Sequence, residues 1–467
     1  MKRPCDGSAR RWVVAAVALL AVAARLPGLF TQSLSQDEVA SARIITESTF
    51  PRLLGHVART ESTPPLWYTL AWLAHHGGLA TQDVRVLSVA AGAILAALVV
   101  DLACTLVALP FAALAGLMTA VGSQLVSHGR ELRAYELLAL LAVVFARVLL
   151  AEVEGPSRRR ELALVAVVAA GGLTHYFFAF TVLAGLGWLW LDSTTHAVRR
   201  RATTAIALGA VTAAPWLPVT LEQYNQDRFW WIGAFRVRPV LAVPLRLFTS
   251  AYGSTPFGLS LSLAALAVVV GGCVTLSQLS PRGRLVAALA VGPLAAAALA
   301  WVGGVRIFAL RNLIEIAPFV AIAVAAAASA IPRRAVPAAA ALASAALLLP
   351  LVSLANIHVP RYDLLARRLV AAGWTPSAPV AVFGNFFRYR APLEWYLPHR
   401  PLLAASRPLS GVCRTVFVIR RNRVERLRLD RPIEADRQLH GATILADPAE
   451  APRCVRPIMT GRLAPLS

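Results

Sequence analysis

Long apolar runs separated by short polar segments dominate the chain. The hydrocarbon core of a bilayer is roughly 30 Å thick, so a spanning helix needs about 20 apolar residues. Eleven runs are candidates for such helices, although two adjoining ones, 161–175 and 176–191, are short. The predicted spans are residues 12–30, 85–107, 109–127, 134–151, 161–175, 176–191, 202–221, 257–279, 285–302, 312–331 and 335–357.

Arginine clusters between these runs set the predicted topology. Because cytoplasmic loops carry an excess of positive residues, an even number of spans should separate successive clusters. Eleven spans satisfy this condition, with the N-terminus in the cytoplasm and the residues after 357 outside. The clusters are Arg10 with Arg11, Arg158 to Arg160, Arg199 to Arg201, Arg282 with Arg284, and Arg333 with Arg334.

One further apolar segment, residues 64–78, is too short to be counted as a span. As a helix it would be about 22 Å long at ~1.5 Å per residue. Counting it would also place Arg158 to Arg160 on the outside. We therefore expect a helix lying in the outer interface, an environment that suits its tryptophans, tyrosine and histidines.

Composition supports a membrane protein of the α-helical polytopic class. Of the 467 residues, 57% are hydrophobic and 15% charged, and the mean hydropathy is +0.62. Soluble domains are roughly 45–50% apolar and about 25% charged, so a soluble enzyme and a disordered chain are both excluded. The net charge of +22 comes almost entirely from arginine, since Lys2 is the only lysine. These arginines lie between apolar runs, which favours lipid phosphates over nucleic acid as their partners.

The C-terminal part differs from the rest of the chain. Residues 1–357 are predicted to form the transmembrane domain, and residues 358–467, rich in proline and arginine, a small extracytoplasmic α/β domain. Its pattern predicts a helix at 362–372 and strands at 380–383 and 415–419. Cys413 and Cys454 both fall in this domain, and their spacing leaves a disulfide bond and two unpaired buried thiols equally open.

Ionisable residues collect in segments predicted to lie outside. Asp37 and Glu38 follow the first span, where a partly desolvated carboxylate would be a better base, although acidic pairs are also common in solvated loops. The second outer segment, 127–134, continues into an ionisable stretch that runs to Glu136. Charges at a membrane edge are costly and indicate function, but a helix end neutralised by its own Arg/Glu pairs is the alternative.

The ordered set of motifs resembles the GT-C-fold glycosyltransferases that use a polyprenyl-phosphate sugar, a superfamily including protein O-mannosyltransferases and lipid A aminoarabinose transferases. The resemblance extends over residues 12–331. The chain departs from this family at two positions, with Ser35 where the family often has a tryptophan and Thr63 where it often has a histidine. These departures leave the identities of the sugar and of the acceptor undefined. The residues that carry it are Asp37-Glu38, Pro64-Pro65-Leu66-Trp67-Tyr68, Arg85-Val86-Leu87-Ser88, Glu131-Leu132-Arg133-Ala134-Tyr135, Thr174-His175-Tyr176, and Arg311-Asn312-Leu313 leading to Pro318.

This resemblance implies an inverting sugar transfer at the outer membrane face. Asp37 would be the general base toward the acceptor, and Glu38 would orient the acceptor. Arg85, and after it Arg311, would neutralise the polyprenyl-phosphate leaving group. The implied substrate-binding residues are Pro64, Pro65, Arg85, Glu131, Arg133, Tyr135, His175, Tyr176 and Arg311.

The sequence contains no metal-binding motif, and arginine can neutralise a monophosphate without a metal ion. Four residues, Asp37, Glu38, Glu131 and His175, could nevertheless converge on a divalent cation. The acceptor could be a glycan, a lipid or a protein. The arginine bias indicates a bacterial inner (plasma) membrane as the location.

Two other functions remain open at this stage. A transporter or flippase for a lipid-linked sugar should show repeated halves and polar residues along a path through the membrane. No internal repeat is evident in the sequence. A catalytically inactive scaffold is the other alternative, against which stands the intact Asp37–Glu38 pair.

Overall fold

The chain folds into two compact units. The first comprises Met1–Leu29 and Ile44–Ile357, and the second comprises Phe30–Arg43 and His358–Ser467. The predicted division after residue 357 recurs, but a short piece of the predicted first outer loop groups with the C-terminal unit. The computed structural model describes residues 7–192, 195–226, 232–249, 256–332, 335–354, 360–375, 380–383, 386–397, 402–408, 413–420, 423–428, 444–447 and 449–457.

Most of the described residues are helical. The α-helices are α1 Ser8–Arg25, α2 Gln36–Ile45, α3 Phe50–Thr60, α4 Leu66–His76, α5 Val86–Ala103, α6 Leu109–Val121, α7 Ser123–His128, α8 Tyr135–Glu154, α9 Arg158–Thr174, α10 Phe178–Leu191, α11 His196–Val211, α12 Leu217–Asn225, α13 Val237–Leu241, α14 Val243–Arg246, α15 Pro256–Leu279, α16 Pro281–Val302, α17 Ala317–Ala330, α18 Val336–Leu354, α19 Tyr362–Ala371, α20 Phe386–Tyr396 and α21 Ala451–Cys454. Short 3₁₀ helices cover Asp83–Arg85, Ala214–Trp216 and Leu310–Ile316.

Each predicted span overlaps at least one of these helices, and α9 and α10 separate where the two short runs meet. Within the described ranges, five helical segments are long and apolar enough to cross a membrane. They are Asp83–Ala103, His196–Asn225, Gly258–Leu279, Pro281–Val302 and Leu310–Ala330, and shorter apolar helices cover Leu109–Val121, Phe178–Leu191 and Ala340–Val352. The chain is therefore a multi-pass α-helical membrane protein, while its orientation stays a prediction.

The predicted first outer loop is more helical than the sequence indicated. The expected helix within 64–78 is present as α4, and α3 precedes it. Helix α3 is strongly amphipathic, with Leu53 and Val57 buried and Phe50 exposed. Its apolar positions are spaced by four residues, which is the helical period. The sequence prediction did not include α3, because this helix is amphipathic and contains no long apolar run.

Small residues let the helices of the first unit approach closely. A Cβ atom added at Gly116 of α6 would overlap the Val100 side chain of α5, and one added at Gly272 of α15 would overlap the backbone of Ala323 in α17. Membrane helices associate largely through such packing, since lipid tails are as apolar as leucine. The glycines therefore fix which helix faces can meet.

A buried charge pair lies among these helices. Arg25, in the last turn of α1, donates from Nη1 to the carbonyl oxygens of Ala21 at 2.9 Å and Ala120 at 3.0 Å. Its Nη2 donates to the Leu125 carbonyl and to Glu136 Oε1, both at 3.2 Å. Both charged side chains are completely buried. The guanidinium thus connects α1, α6, α7 and α8 through its donors.

Two glycines leave room for this guanidinium. A Cβ atom at Gly129 would overlap the Arg25 side chain, and one at Gly92 would lie 2.6 Å from Arg25 Nε. Neither position could take even an alanine without moving the arginine. The backbone at both positions therefore forms part of the arginine site.

The second unit contains a six-stranded sheet with the strand order β4-β3-β5-β1-β2-β6. Strands β1 and β2 are parallel, and the other neighbouring strands are antiparallel. The helix predicted at 362–372 and the strands predicted at 380–383 and 415–419 are present as α19, β1 and β3. The strands are β1 Val380–Phe383, β2 Leu402–Pro408, β3 Thr415–Arg420, β4 Arg423–Arg428, β5 Ile444–Ala446 and β6 Val455–Pro457.

The C-terminal cysteines, whose state the sequence left open, are bonded. A disulfide joins Cys413 to Cys454 across 41 residues. Cys454 is completely buried beside Ala381 and Phe383 of β1. The bond therefore ties the start of β3 to the segment before β6.

We predict that Glu136→Gln destabilises the first unit by about 3–5 kcal/mol, because it leaves the Arg25 charge buried without a counter-charge. Unfolding of the purified protein in detergent, followed by circular dichroism, measures the change. Glu154→Gln is the matched control. Its carboxylate pairs with Arg282 at an exposed position, where such pairs contribute about 0–1 kcal/mol. Equal effects of the two variants would contradict the prediction.

Candidate functional site

The two adjacent carboxylates identified in the sequence have different environments. Asp37 and Glu38 lie in the first turn of α2. Glu38 is 2% exposed, and its Oε2 accepts a hydrogen bond from the Ser35 backbone N–H at 2.9 Å. The Ser35 hydroxyl accepts in return from the Glu38 N–H at 3.4 Å. This reciprocal pattern is a capping box, so Glu38 closes the helix end, while Asp37 is half-buried beside it.

The residues just before this cap are bound to the C-terminal part of the second unit. Ser33 Oγ donates to Asp363 Oδ1 at 2.6 Å and accepts from the Asp363 N–H at 3.0 Å. The Leu34 N–H donates to the Tyr396 hydroxyl at 2.8 Å. Ser33 and Leu34 are both buried. We call residues 33–38 the acidic segment, and its conformation is fixed by α19 and α20.

Charge reinforces one of these contacts. Burial by itself raises the pKa of Asp363, but hydrogen bonds from Arg361 and Ser33 outweigh it and lower the pKa to about 2. Because the pKa is lower in the folded protein, this carboxylate stabilises the fold above its unfolded pKa of about 3.9. That contribution is lost as the pH falls toward 2. The contact to Ser33 therefore stays intact near neutral pH.

In the first unit, the Arg85 side chain is buried and donates a hydrogen bond to a backbone carbonyl. It ends the 3₁₀ helix before α5, is 1% exposed, and donates from Nη1 to the Leu29 carbonyl at 2.9 Å. Arg130 donates to the neighbouring Pro27 carbonyl at 2.8 Å. Both guanidinium groups thus hold the segment that follows α1.

A second buried cluster forms around Arg133. Its Nη1 lies 3.0 Å from Glu61 Oε1 and 3.0 Å from the Tyr68 hydroxyl. Thr63 donates to the same hydroxyl at 3.3 Å. Burial raises the pKa of Tyr68 well above its ordinary value, although Arg133 opposes this. Pro64 and Pro65, which were predicted to bind substrate, lie between Thr63 and α4. They therefore precede the first turn of that helix.

Two of the predicted residues, Tyr135 and His175, form a row of rings with His128. Tyr135 lies between His128, with ring centroids 4.6 Å apart, and His175, at 5.9 Å. His175 is 3% exposed, and its Nδ1 accepts from the Phe177 N–H at 3.2 Å, which leaves the proton of a neutral ring on Nε2. Tyr176 points elsewhere, donating to Gln223 at 2.7 Å.

Glu131 holds one end of this row. Its Oε2 lies 2.8 Å from His128 Nδ1, and its backbone carbonyl accepts from Ser88 of α5 at 2.9 Å. The loop between α7 and α8 is therefore anchored to a neighbouring helix. That anchoring fixes the His128 ring at the beginning of the row.

A cavity of about 720 Å³ lies next to His128. Arg236, Arg246 and Arg311 contribute its positive charge, and no Asp or Glu is among the described residues that line it. The apolar part of the lining is Ile232, Val243, Trp301 and Phe308. The rings of Trp301 and Phe308 stack with centroids 4.7 Å apart. We call this space the arginine cavity.

The composition of the arginine cavity favours an amphiphilic anion. Guanidinium groups bind phosphate oxygens through paired N–H donors and stay charged at any physiological pH. A stacked aromatic wall beside them suits a hydrocarbon chain. The lining residues come from three stretches of the chain, 124–128, 232–246 and 301–311.

Comparison with known proteins identifies the architecture. No protein-family model and no curated protein sequence matches the chain. The oligosaccharyltransferase of Archaeoglobus fulgidus in its apo form aligns with a TM-score of 0.54 and 13% identity, over 84% of this chain and 64% of that one. Its structure with an inhibitory peptide and a dolichol-phosphate gives 0.52 and 12%, over 85% and 64%. The chain has the GT-C fold.

A third similar structure is ArnT from Cupriavidus metallidurans in the apo state. It aligns over 86% of both chains with 14% identity and a TM-score of 0.42. The chain spans about two thirds of the length of the archaeal enzyme and most of the length of ArnT. At 12–13% identity, the two archaeal structures establish the shared GT-C architecture and nothing finer.

Sequence reasoning missed several residues of the arginine cavity. His128 and Arg236 lie in outer segments that the arginine pattern had delimited, but neither was selected as a site residue. Arg246 and Trp301 gave no local signal, because their partners are far away in the chain. Of the two arginines predicted to bind phosphate, Arg311 lines the cavity and Arg85 does not.

No metal-binding group is evident in this GT-C protein. Among the described residues, no three His, Cys, Asp or Glu side chains are placed to hold one ion. The divalent cation considered from the sequence stays a prediction.

We predict that Tyr396→Phe increases hydrogen exchange at the Leu34 amide by about 5- to 10-fold, because the loss of one hydrogen bond costs about 1 kcal/mol. Exchange in detergent, followed by mass spectrometry of peptides covering residues 33–43, measures this change. Tyr389→Phe makes the same chemical change in the same helix, at a side chain packed in the core of the second unit. It should leave the exchange of those peptides unchanged, and an equal effect of both variants would contradict the prediction.

Proposed function

We propose that the protein is an integral-membrane inverting glycosyltransferase. It transfers a sugar from a polyprenyl-phosphate donor to an acceptor at the extracytoplasmic face of a bacterial inner membrane. The arginine cavity carries this proposal, since it offers three guanidinium groups and an aromatic wall without any lining carboxylate. The GT-C fold supports it, and an archaeal protein of that fold has been solved with a dolichol-phosphate.

The roles of the cavity residues follow from charge. Bond cleavage leaves negative charge on the phosphate, and preorganised cations stabilise such charge most where it develops. Arg311, together with Arg236 and Arg246, neutralises the leaving group in this proposal. The isoprenoid chain lies along Trp301 and Phe308.

Asp37 acts as the general base. The acceptor oxygen or nitrogen attacks the anomeric carbon, Asp37 takes its proton, and the bond from that carbon to the phosphate oxygen breaks with inversion. Glu38 is assigned to hold the first turn of α2 in place through Ser35 instead of contacting the acceptor. The acceptor itself is a glycan, a lipid or a protein.

Arg133, Glu131, Tyr135 and His175 are assigned to the sugar side of the site. Arg133 and Arg311 are both close enough to His175 for their charges to act on it. The neutral His175 ring can therefore donate a hydrogen bond to a sugar hydroxyl without adding a further positive charge. Arg85 keeps a structural role at the end of α1.

We predict that Asp37→Asn lowers kcat by about 10²- to 10⁴-fold, because the general base is removed while the shape is kept. Transfer is assayed with full-length protein in lipid nanodiscs and a panel of radiolabelled polyprenyl-phosphate sugars, with and without EDTA. Asp83→Asn, at another half-buried aspartate in the first turn of a helix, should retain activity. Unchanged transfer by Asp37→Asn would remove Asp37 as the base. Donor binding without transfer by the wild-type protein would favour a transporter.

We predict that Arg311→Gln weakens binding of polyprenyl phosphate by about 10- to 100-fold. A charged hydrogen bond contributes about 1.5–3 kcal/mol, and each 1.4 kcal/mol is roughly tenfold in affinity. Titration of the lipid into the detergent-solubilised protein measures the dissociation constant. Arg306→Gln changes an exposed arginine close by in the chain that does not line the cavity. Equal weakening in both variants would point to general surface charge and contradict the assignment.

A further inference from the structure

His128 combines three properties that no role assigned so far uses. It lines the arginine cavity. Its residue is 8% exposed, and its Nδ1 lies 2.8 Å from Glu131 Oε2. Its other ring nitrogen, Nε2, is buried and has no hydrogen-bond partner among the described residues. A buried polar atom without a partner is destabilising, so a partner supplied by a ligand would be favourable.

The contact to Glu131 determines which ring nitrogen of His128 carries the proton, and so what Nε2 can do. A carboxylate accepts hydrogen bonds, so the Nδ1 proton is the one donated to Glu131. In the neutral ring, Nε2 then carries a lone pair and can accept a proton. In the protonated ring, Nε2 becomes a donor and Glu131 stabilises the added charge.

Many charged groups surround this ring. Their net charge is positive, and a bound anion would both offset the charge of the arginines and accept a hydrogen bond from Nε2. Glu131 contacts the ring, and Glu136, which pairs with Arg25, is close enough for its charge to act on it. Arg236, Arg246 and Arg311 line the same cavity.

The charge of the phosphate changes during the proposed reaction. The donor is a phosphodiester with one negative charge. Cleavage leaves the electron pair of the broken bond on a phosphate oxygen, and the resulting monoester carries about 1.5 to 2 negative charges near neutral pH. A group that gains a proton as this second negative charge appears keeps the net charge of the cavity and its ligand constant.

We propose that His128 is a catalytic residue that takes up a proton from solvent and donates it as a hydrogen bond to the departing phosphate, with Glu131 as its positioning carboxylate. This inference rests on the proposed function. The acceptor's proton goes to Asp37, so the two proton movements are separate. The cavity thereby gains one positive charge as the leaving group gains one negative charge.

Proton uptake on ligand binding tests this directly and does not require turnover. Farnesyl phosphate is titrated into the full-length protein in detergent at about pH 8, roughly two units above the second pKa of a phosphate monoester. At this pH nearly all of the free ligand has lost its second phosphate proton, so protons taken up on binding go to the protein. Repeating the titration in buffers of different ionisation enthalpy gives the number of protons taken up. Methyl farnesyl phosphate, a diester with a single charge, is the matched ligand.

We expect uptake of up to about one proton with the monoester and much less with the diester, because only the monoester gains the second charge. His128→Gln should abolish the uptake and weaken monoester binding by about 10- to 100-fold. Glu131→Gln should reduce the uptake while preserving the ring. His75→Gln, at an exposed histidine outside the cavity, should behave as the wild-type protein.

The outcomes separate this inference from the proposed function. Binding of farnesyl phosphate without proton uptake, or with uptake that persists in His128→Gln, overturns the role of His128 alone. Failure of the wild-type protein to bind either ligand overturns the arginine cavity as a lipid-phosphate site, and the inference with it. Thermal unfolding of each variant in detergent shows whether a loss of binding or of proton uptake comes from misfolding. If His128→Gln is misfolded, the reduced proton uptake of Glu131→Gln tests the inference instead.

Discussion

A guanidinium group among apolar helices is stable only when its charge is balanced and its donors find acceptors, since burying an ion costs several kcal/mol even after relaxation. Arg25 imposes this condition on the first unit. It requires the carbonyls of three helices, the carboxylate of Glu136 and two glycines that leave space for it. Helices α1, α5, α6, α7 and α8 can therefore pack in few arrangements that leave no charge stranded.

The same constraint divides the arginines of this chain into two groups. Arg85 and Arg130 are buried and donate to carbonyls after α1, so they stabilise the backbone. Arg236, Arg246 and Arg311 line a cavity with no carboxylate among its described lining residues. In the proposed function, this cavity is where the anionic ligand binds. His128 lies at that place with one ring nitrogen held by Glu131 and the other without a partner.

In the second unit, the contacts of the acidic segment likewise have separate roles. Glu38 is used by the helix cap, and Asp363 and Tyr396 fix the residues before it. A base that must meet an acceptor gains from such support, because small displacements of reacting groups are costly. In the proposed mechanism, the second unit therefore shapes the segment that bears Asp37.

The sequence by itself determined the membrane class, the positions of the spanning helices and the first elements of the C-terminal domain. Apolar run length, arginine placement and residue periodicity are local properties, so they survive without tertiary information. The GT-C fold was also predictable, because its motifs keep their order along the chain. Which arginine lines the cavity was not predictable, since Arg85 and Arg311 look alike in sequence. Only the tertiary structure decided it, because burial and the position of distant carbonyls determine whether a guanidinium is already satisfied.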